Sequence, residues 1–484
     1  MVGAVVNGVR FAWILAAPLF MTIAAACGSS GDDAAAAPTS DEAGAPARLD
    51  AGRDVTVGPV GPASPTVRCA NPKPSPGVYV VADAPTADAG SFDAGITDAS
   101  GEASDASGTD DSGVDAASAD AAAEGGARLT SAVRRPRVPS SGGRVLAMPR
   151  WVPIFYKDTE DQPDITDFLG SIGCTDYWRS VAFDYGVGEG VTADAVVVPE
   201  EAPARISDSQ IQKWLVKLLT DGKVEKPTPN TVYVLFYPSG TTVTENGSGT
   251  SCLQFGGYHF EVDFEGQSVP YAIIPRCGDL DALTSTVTHE LIEATTDPFP
   301  QSEPAYSTPS EEDVVWAVAS GGEVGDLCTF VDEATFTPDG YPYAVQKSFS
   351  NRASVEGHDP CVPATRPFVY AAPSLESVYC SDCGGTNTMG VLVPPGTSRT
   401  VDVVLGSDAD VKSMQVAVLS GNKLHLQAPT GSGSTFALDR SGGAPGDHAT
   451  LTISASSAAS ESEIFAITAS YQGHRHHWYG LVTH

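Results

Sequence analysis

Basic side chains are scarce: 484 residues carry 27 Lys and Arg against 60 Asp and Glu, a formal net charge of −33. A chain so charged repels phosphate backbones, which excludes a nucleic-acid- or phosphate-binding role. Sustained apolar runs are lacking too, apart from FAWILAAPLFMTIAAA at residues 11–26, which is short of the roughly 20 residues a bilayer span needs. Hydrophobic residues reach only 42%, below the ordinary globular share, so part of the chain has no core of its own. The length leaves room for two or three domains.

What stands at the N-terminus reads as an export signal over residues 1–26, with Arg10 its only charge and small residues closing the apolar run. Cys27 follows, then Gly28, Ser29 and Ser30, an arrangement that resembles the lipidation site of bacterial lipoproteins, with Ala24 where Leu is usual. Ordinary cleavage after Ala26, leaving Cys27 as a thiol, is the alternative; either way the protein is exported to a cell envelope, cell surface or medium. An oxidising compartment favours disulfides among the other eight cysteines, Cys69, Cys174, Cys252, Cys277, Cys328, Cys361, Cys380 and Cys383. Sequence alone leaves about 105 pairings open.

Residues 28–126 repeat Asp, Ala, Gly, Ser, Thr and Pro in drifting DAG, DAS and DAA units. They bury too little apolar surface to offset chain entropy, so residues 27–136 are expected to be a disordered, extended stalk with room for a short ordered patch at Cys69 to Val81. From Arg137 the texture changes. β-Branched and aromatic runs at Val152 to Tyr156, Ala195 to Val198, Thr231 to Tyr237 and Tyr271 to Pro275 read as buried strands. Between them Ser207 to Gln210 offers a capping box, followed by Ile211, Trp214, Leu215 and Leu218 at helical spacing, with Gly222 as the stop. Residues 137–365 therefore form an α+β domain with a mixed sheet. Strict alternation after Pro367, as in Thr400 to Leu405 and Ala449 to Ile453, predicts an all-β sandwich of immunoglobulin-like type over 368–484.

One segment carries chemistry. Leu280 to Thr296 reads as a helix closed at Asp297-Pro298, with Leu283, Val287, Leu291 and Ala294 forming one buried stripe. His289 and Glu293 share a different face at i and i+4, directed away from the core. Such a pair can chelate a metal while Glu290 between them acts as general base on water, the logic of an HExxH helix with Glu in place of the second His. Zinc is the first expectation; the carboxylate-rich set also admits Ca²⁺ or Mn²⁺. The third ligand is expected from Gly321 to Cys328: Glu323, with Asp326 either ligating or orienting His289. The plain alternative is a solvated helix face bearing an ordinary polar pair.

The string THELIEATTDP followed by GEVGDLC resembles the EXORDIUM or phosphate-induced protein family of plants and its bacterial relatives, in which an HExxE helix precedes an E-x-x-D-x-C segment. Ser251 to His259 resembles that family's cysteine, glycine and Phe/Tyr-His strand; Val269 to Ala272 its LPYA strand; Tyr343 to Gln346 and Phe349 to Asn351 its closing strand. The likeness covers residues 150–362, with Asp297 where plant members have Asn. It implies an extracellular protein with a zincin-like active-site helix and peptidase activity. Carried over by position, His289 and Glu293 are ligands, Glu290 the base, and Glu323 and Asp326 the downstream acidic pair. It also points to Cys252–Cys277 and Cys328–Cys361 disulfides, each bracketing part of the site.

Elsewhere, Cys380 and Cys383 lack a second CxxC and read as a structural disulfide. His474, His476 and His477 are expected on solvated surface, and Asn246-Gly247-Ser248 marks a surface loop. The expectation is an exported, lipid-anchored, zinc-dependent peptidase acting on a peptide or protein. Its rival is a non-catalytic surface protein with a structural Zn or Ca site and an extracellular glycan or protein ligand. A third reading, a structural lipoprotein without metal, makes the HExxE string accidental. Contact with a membrane is expected only through the lipid.

Overall fold

The computed structural model describes residues 69, 72–75, 135–245, 249–383, 385–421 and 433–484. The export signal, Cys27, most of the acidic segment and the sequon at 246–248 lie outside the described residues.

The first domain begins with β1 (Arg150–Tyr156), α1 (Gln162–Ile172), α2 (Asp176–Ala182), β2 (Val191–Thr192), β3 (Val196–Val198) and β4 (Arg205–Ser207). There follow α3 (Asp208–Thr220), β5 (Thr231–Tyr237), β6 (Thr242–Glu245), β7 (Gly249–Thr250), β8 (Tyr258–Phe264), β9 (Gln267–Pro275) and α4 (Leu280–Thr296). One mixed sheet runs in the order β2-β1-β5-β9-β8, with β3 also on β1. All its pairs are parallel except β8 on β9, which closes the edge in antiparallel fashion. Strands β1 and β5 are apolar almost throughout because helices cover both faces. On one face Trp151, Phe155, Phe236 and Ile274 pack against α1, α2 and α4 through Phe168, Trp178, Val287 and Leu291. On the other, Ile154, Leu235 and Tyr271 meet Ile211 and Leu215 of α3, whose N-terminus Ser207 and Gln210 cap reciprocally.

Past α4 the chain adds α5 (Val314–Ser320), β10 (Thr335–Phe336), β11 (Val345–Gln346), β12 (Ser348–Phe349), α6 (Asn351–Glu356) and β13 (Cys361–Val362). The C-terminal domain is a two-sheet sandwich of β14 (Val369–Pro373), β15 (Glu376–Cys380), β16 (Thr386–Leu392), β17 (Ser398–Ser407), β18 (Met414–Ser420), β19 (Ser434–Leu438), β20 (Gly442–Gly443), β21 (His448–Ala455), β22 (Glu463–Tyr471) and β23 (His474–Thr483). Its sheets are ordered β14-β17-β21-β19 and β15-β16-β23-β22-β18-β20. Val403, Leu405, Leu451 and Ile453 from one interlock with Phe465, Ile467 and Val482 from the other. Pairing is antiparallel except where β16 runs parallel to β23.

Four disulfides form: Cys252–Cys277, Cys328–Cys361, Cys380–Cys383 and Cys69–Cys174. That pattern belongs to chains that fold in an oxidising, exported setting. Among the described residues no helix is long and apolar enough to cross a membrane.

One expectation is sharpened and one corrected. The short ordered patch allowed for at Cys69 to Val81 is present at residues 69 and 72–75, stapled to the first domain: besides the Cys69–Cys174 bridge, Cys69 N–H donates to the Gly170 carbonyl at 2.9 Å and Lys73 N–H to Glu189 at 2.7 Å. Arg135 likewise lies over the Tyr370 ring at 4.5 Å. Nor are the C-terminal histidines simply solvated. His476 packs edge-on against Phe368, His477 bonds Thr468 at 2.8 Å, and burial lowers the pKa of both. The physical reason is docking of β23 against the first domain: Trp316 of α5 meets Tyr479 at 5.0 Å, and Arg475 grips Asp332 at 2.7 Å.

Candidate metal centre

Helix α4 starts at Asp279, whose carboxylate accepts from Ala282 N–H at 3.0 Å. Leu283, Val287, Leu291 and Ala294 lie in the core as their spacing predicts. The opposite face is not the solvated one of the plain alternative. It does not look out on solvent, because β8, β11 and the turn at 321–328 roof it over, leaving Glu290 3% and Glu293 5% exposed. A polar helix face enclosed in this way must find partners inside the protein.

Those partners come from three directions. Within the helix, His289 Nε2 lies 3.2 Å from Glu293 Oε2. From the turn, Asp326 Oδ1 reaches to 3.6 Å of His289 Nε2, and Asp326 N–H donates to Glu293 Oε1 at 3.1 Å. Asp326 is itself held by the N–H groups of Gly322 and Glu323. From β8, His259 turns Nδ1 toward Glu293 at 3.7 Å and Glu290 at 3.9 Å, while its Nε2 lies 3.5 Å from Glu323 and donates to the Asp297 carbonyl at 3.1 Å. Every residue singled out on the HExxE helix and its downstream segment thus converges here, with Glu323 standing beside His259.

His259 was missed as a site residue, although the strand that carries it formed part of the family likeness. Its signal was the Gly256-Gly257 pair just before it. A Cβ on Gly257 would sit 2.7 Å from Glu290 Oε1, and one on Gly325 would sit 2.8 Å from Glu293 Oε1. Both positions need glycine because carboxylates occupy the space a side chain would take. Gln346 was missed too. Its amide donates to the Gly325 carbonyl at 2.9 Å and lies 2.9 Å from His289 Nδ1, tying the turn to the helix.

The electrostatics are those of crowded carboxylates. Burial pushes Glu290 up to about 8 against the pull of His289, and burial together with Glu293 pushes Asp326 up to about 7. Burial carries Glu323 well above the usual carboxylate range. For Glu293 burial acts upward as well, but His289 and His259 outweigh it and hold the group at about 2. Burial opposes charge on His259, yet Glu323, Glu293 and Glu290 raise it to about 10.

These residues fit a divalent cation. Glu290 Oε2, Glu323 Oε2 and Asp297 Oδ2 are buried without a hydrogen-bond partner, an expensive condition for a carboxylate. Single donor atoms of His259, Glu293 and Glu323 lie within 4.8 Å of one another, as do those of His289, Glu290 and Glu293. Ligands bound about 2.1 Å from a tetrahedral zinc stand about 3.4 Å apart, close to the spacings seen here. Mixed imidazole and carboxylate donors suit zinc or manganese, and the oxygen share admits calcium.

No protein-family profile matches the chain, and no curated protein matches it. Among solved structures, domains 1–6 of the surface layer protein SbsC align at 16% identity over 31% of this chain and 18% of that one, with a TM-score of 0.15. Titin M4 aligns at 13% identity over 25% of this chain and 98% of its own, with a TM-score of 0.15. A family 123 glycoside hydrolase from Clostridium perfringens aligns at 9% identity over 24% of this chain and 27% of its own, again at 0.15. Likeness at this level identifies no relative and carries no functional argument.

Proposed function

We propose that this protein is an exported, zinc-dependent hydrolase of peptide bonds, lipid-anchored through Cys27, with the metal held by His289, Glu293 and Asp326. One observation carries the reading: the HExxE residues meet Asp326 in a buried pocket where the base candidate, Glu290, has an unpartnered carboxylate oxygen. When bound, zinc would polarise a scissile carbonyl and acidify water. Glu290, with an unpartnered oxygen beside the donors, would take a proton from the attacking water and pass it to the leaving amine, a bound cation favouring its ionised form against the upward push of burial. Gln346 holds the 321–328 turn against His289 and so keeps the donors in register. The mixed sheet with its site-bearing helix supports a zincin-like assignment, and the two-sheet C-terminal domain supports an immunoglobulin-like one. The test is Glu290→Gln, assayed against a peptide library: metal content and fold are retained and hydrolysis is lost. Undiminished hydrolysis removes Glu290 from the mechanism.

A second reading is favoured by the number of carboxylates, which weakens the Lewis acidity of a bound cation. It makes the protein a non-catalytic surface binder of glycan or protein with a structural Zn or Ca site. Calcium in the purified protein and no cleavage of any peptide would select it.

A further inference from the structure

Each imidazole at the centre has its own carboxylate from the turn: Asp326 lies 3.6 Å from His289 and Glu323 lies 3.5 Å from His259. Glu293 stands between the two pairs, its Oε2 3.2 Å from one ring and 3.7 Å from the other. The two groups of convergent donors, His259-Glu293-Glu323 and His289-Glu290-Glu293, share Glu293. We propose that the pocket binds two divalent cations bridged by Glu293, one at His289 with Asp326 and the other at His259 with Glu323. The proposal rests on the reading of this cluster as a metal centre and extends it from one ion to two.

Charge supports the second ion. Glu290, Glu293, Asp297, Glu323 and Asp326 are five carboxylates, and among the described residues their ion pairs are with His259 and His289 and with no Lys or Arg. One ion at His289 engages Glu293 and Asp326 and leaves Glu323 and Asp297, each with a buried unpartnered oxygen, without a cation inside the protein. Unpartnered oxygens support it as well. Glu290 Oε2 belongs to the first group and Glu323 Oε2 to the second, so each group holds a buried acceptor without a donor. Asp297, fully buried, has a further orphan oxygen, and its carbonyl accepts from His259 Nε2, which leaves Nδ1, facing Glu293, as the ring's free donor to a cation. A lone ion at His289 engages Glu293 but leaves His259 and Glu323 without a cation. Carboxylate-bridged pairs about 3.5–4 Å apart are a recurrent hydrolytic arrangement in which both attacking and leaving atoms can be stabilised.

The experiment is metal counting on the full chain, stripped with a chelator and titrated with Zn²⁺ alone, by calorimetry and elemental analysis. Wild type is expected to take two equivalents, His259→Ala and Glu323→Gln to keep one, and His289→Ala and Asp326→Asn to keep one. Glu293→Ala is expected to weaken both sites. Circular dichroism confirms folding of each variant, and His259→Gln replaces His259→Ala should the smaller side chain unfold the domain. An independent readout is the electron paramagnetic resonance of the Mn²⁺-loaded protein, which is exchange-coupled for a bridged pair and uncoupled for a single ion. One equivalent in wild type, lost in both histidine variants, overturns the two-ion proposal while leaving the metal centre standing. No bound metal in wild type overturns the metal reading itself.

Discussion

Strands β17 and β21 of the sandwich bury Val401, Val403, Leu451 and Ile453 on one face and turn Asp402 and His448 to the other, where they pair at 2.7 Å. Helix α4 of the first domain buries Val287 and Leu291 on one side and Glu290 and Glu293 on the other. A strand with one covered face sorts polar from apolar by alternation, and water or a cross-strand partner satisfies what is left outside, as His448 does for Asp402. A helix covered on every side has no such outlet, so its polar residues require partners inside the fold. Among the described residues the sandwich gathers no comparable set of donors, whereas the first domain concentrates its charge where an ion would compensate it.

The contrast is open to attack at several levels. The largest effect should come from chelation: binding to the native state at a thousandfold excess over Kd is worth about 4 kcal/mol, so stripping metal should lower the first domain's melting transition by on the order of 10 °C. Scanning calorimetry with and without chelator checks this, and the sandwich transition should stay in place. Next in size, Ile453→Ala, in the sandwich core, should cost about 3 kcal/mol in denaturant unfolding with metal content unchanged. Loss of metal in that variant would show the halves to be coupled.

A smaller effect tests the join between them. Thr388 of β16 accepts from Val315 N–H at 3.0 Å and donates to the Glu312 carbonyl at 3.1 Å, fastening the N-terminus of α5. Val315 and Ala319 of α5 complete an apolar cluster with Val378, Ile464 and Leu481 of the sandwich, and α5 runs directly into Gly321 and Glu323. Thr388→Val, leaving a buried N–H unmatched, should cost about 1–3 kcal/mol and speed hydrogen exchange at residues 321–328. Unchanged exchange there would mean that α5 holds the turn without the sandwich.

The smallest effect is at the rim, where Arg475 lowers the pKa of Asp332 by hydrogen bonding. A carboxylate with a depressed folded pKa stabilises above its unfolded value, near 4, and the contribution disappears as pH falls through the folded value. Arg475→Ala should therefore cost less than about 1 kcal/mol at neutral pH and nothing in strong acid, since the pair is partly exposed. Urea unfolding at both pH values measures it.

Much of the fold was legible residue by residue. The apolar runs of β1 and β5, the Ser207 and Gln210 cap of α3, and the alternation of β17 and β21 each report a local environment that repeats along one element. The chemistry of α4 was legible for the same reason, since His289, Glu290 and Glu293 lie within two turns. His259 was not, because nothing local marks a histidine on an edge strand as facing a helix that follows it by 30 residues. The Cys69–Cys174 bridge spans 105 residues and was equally hidden. What covers the polar face of α4 was not legible, because helical periodicity shows that two faces differ and says nothing of what covers the second.

By itself, then, the order of residues determined which segments become strands and helices, the compartment implied by the cysteines, and the kind of chemistry α4 can support. Tertiary structure alone decided that Glu323 stands with His259 and Asp326 with His289, that Glu293 lies between them, and that the sandwich rests on the helix leading into that turn. Local propensity acts over a few residues, whereas the environment of a carboxylate is set by whatever the whole chain packs against it.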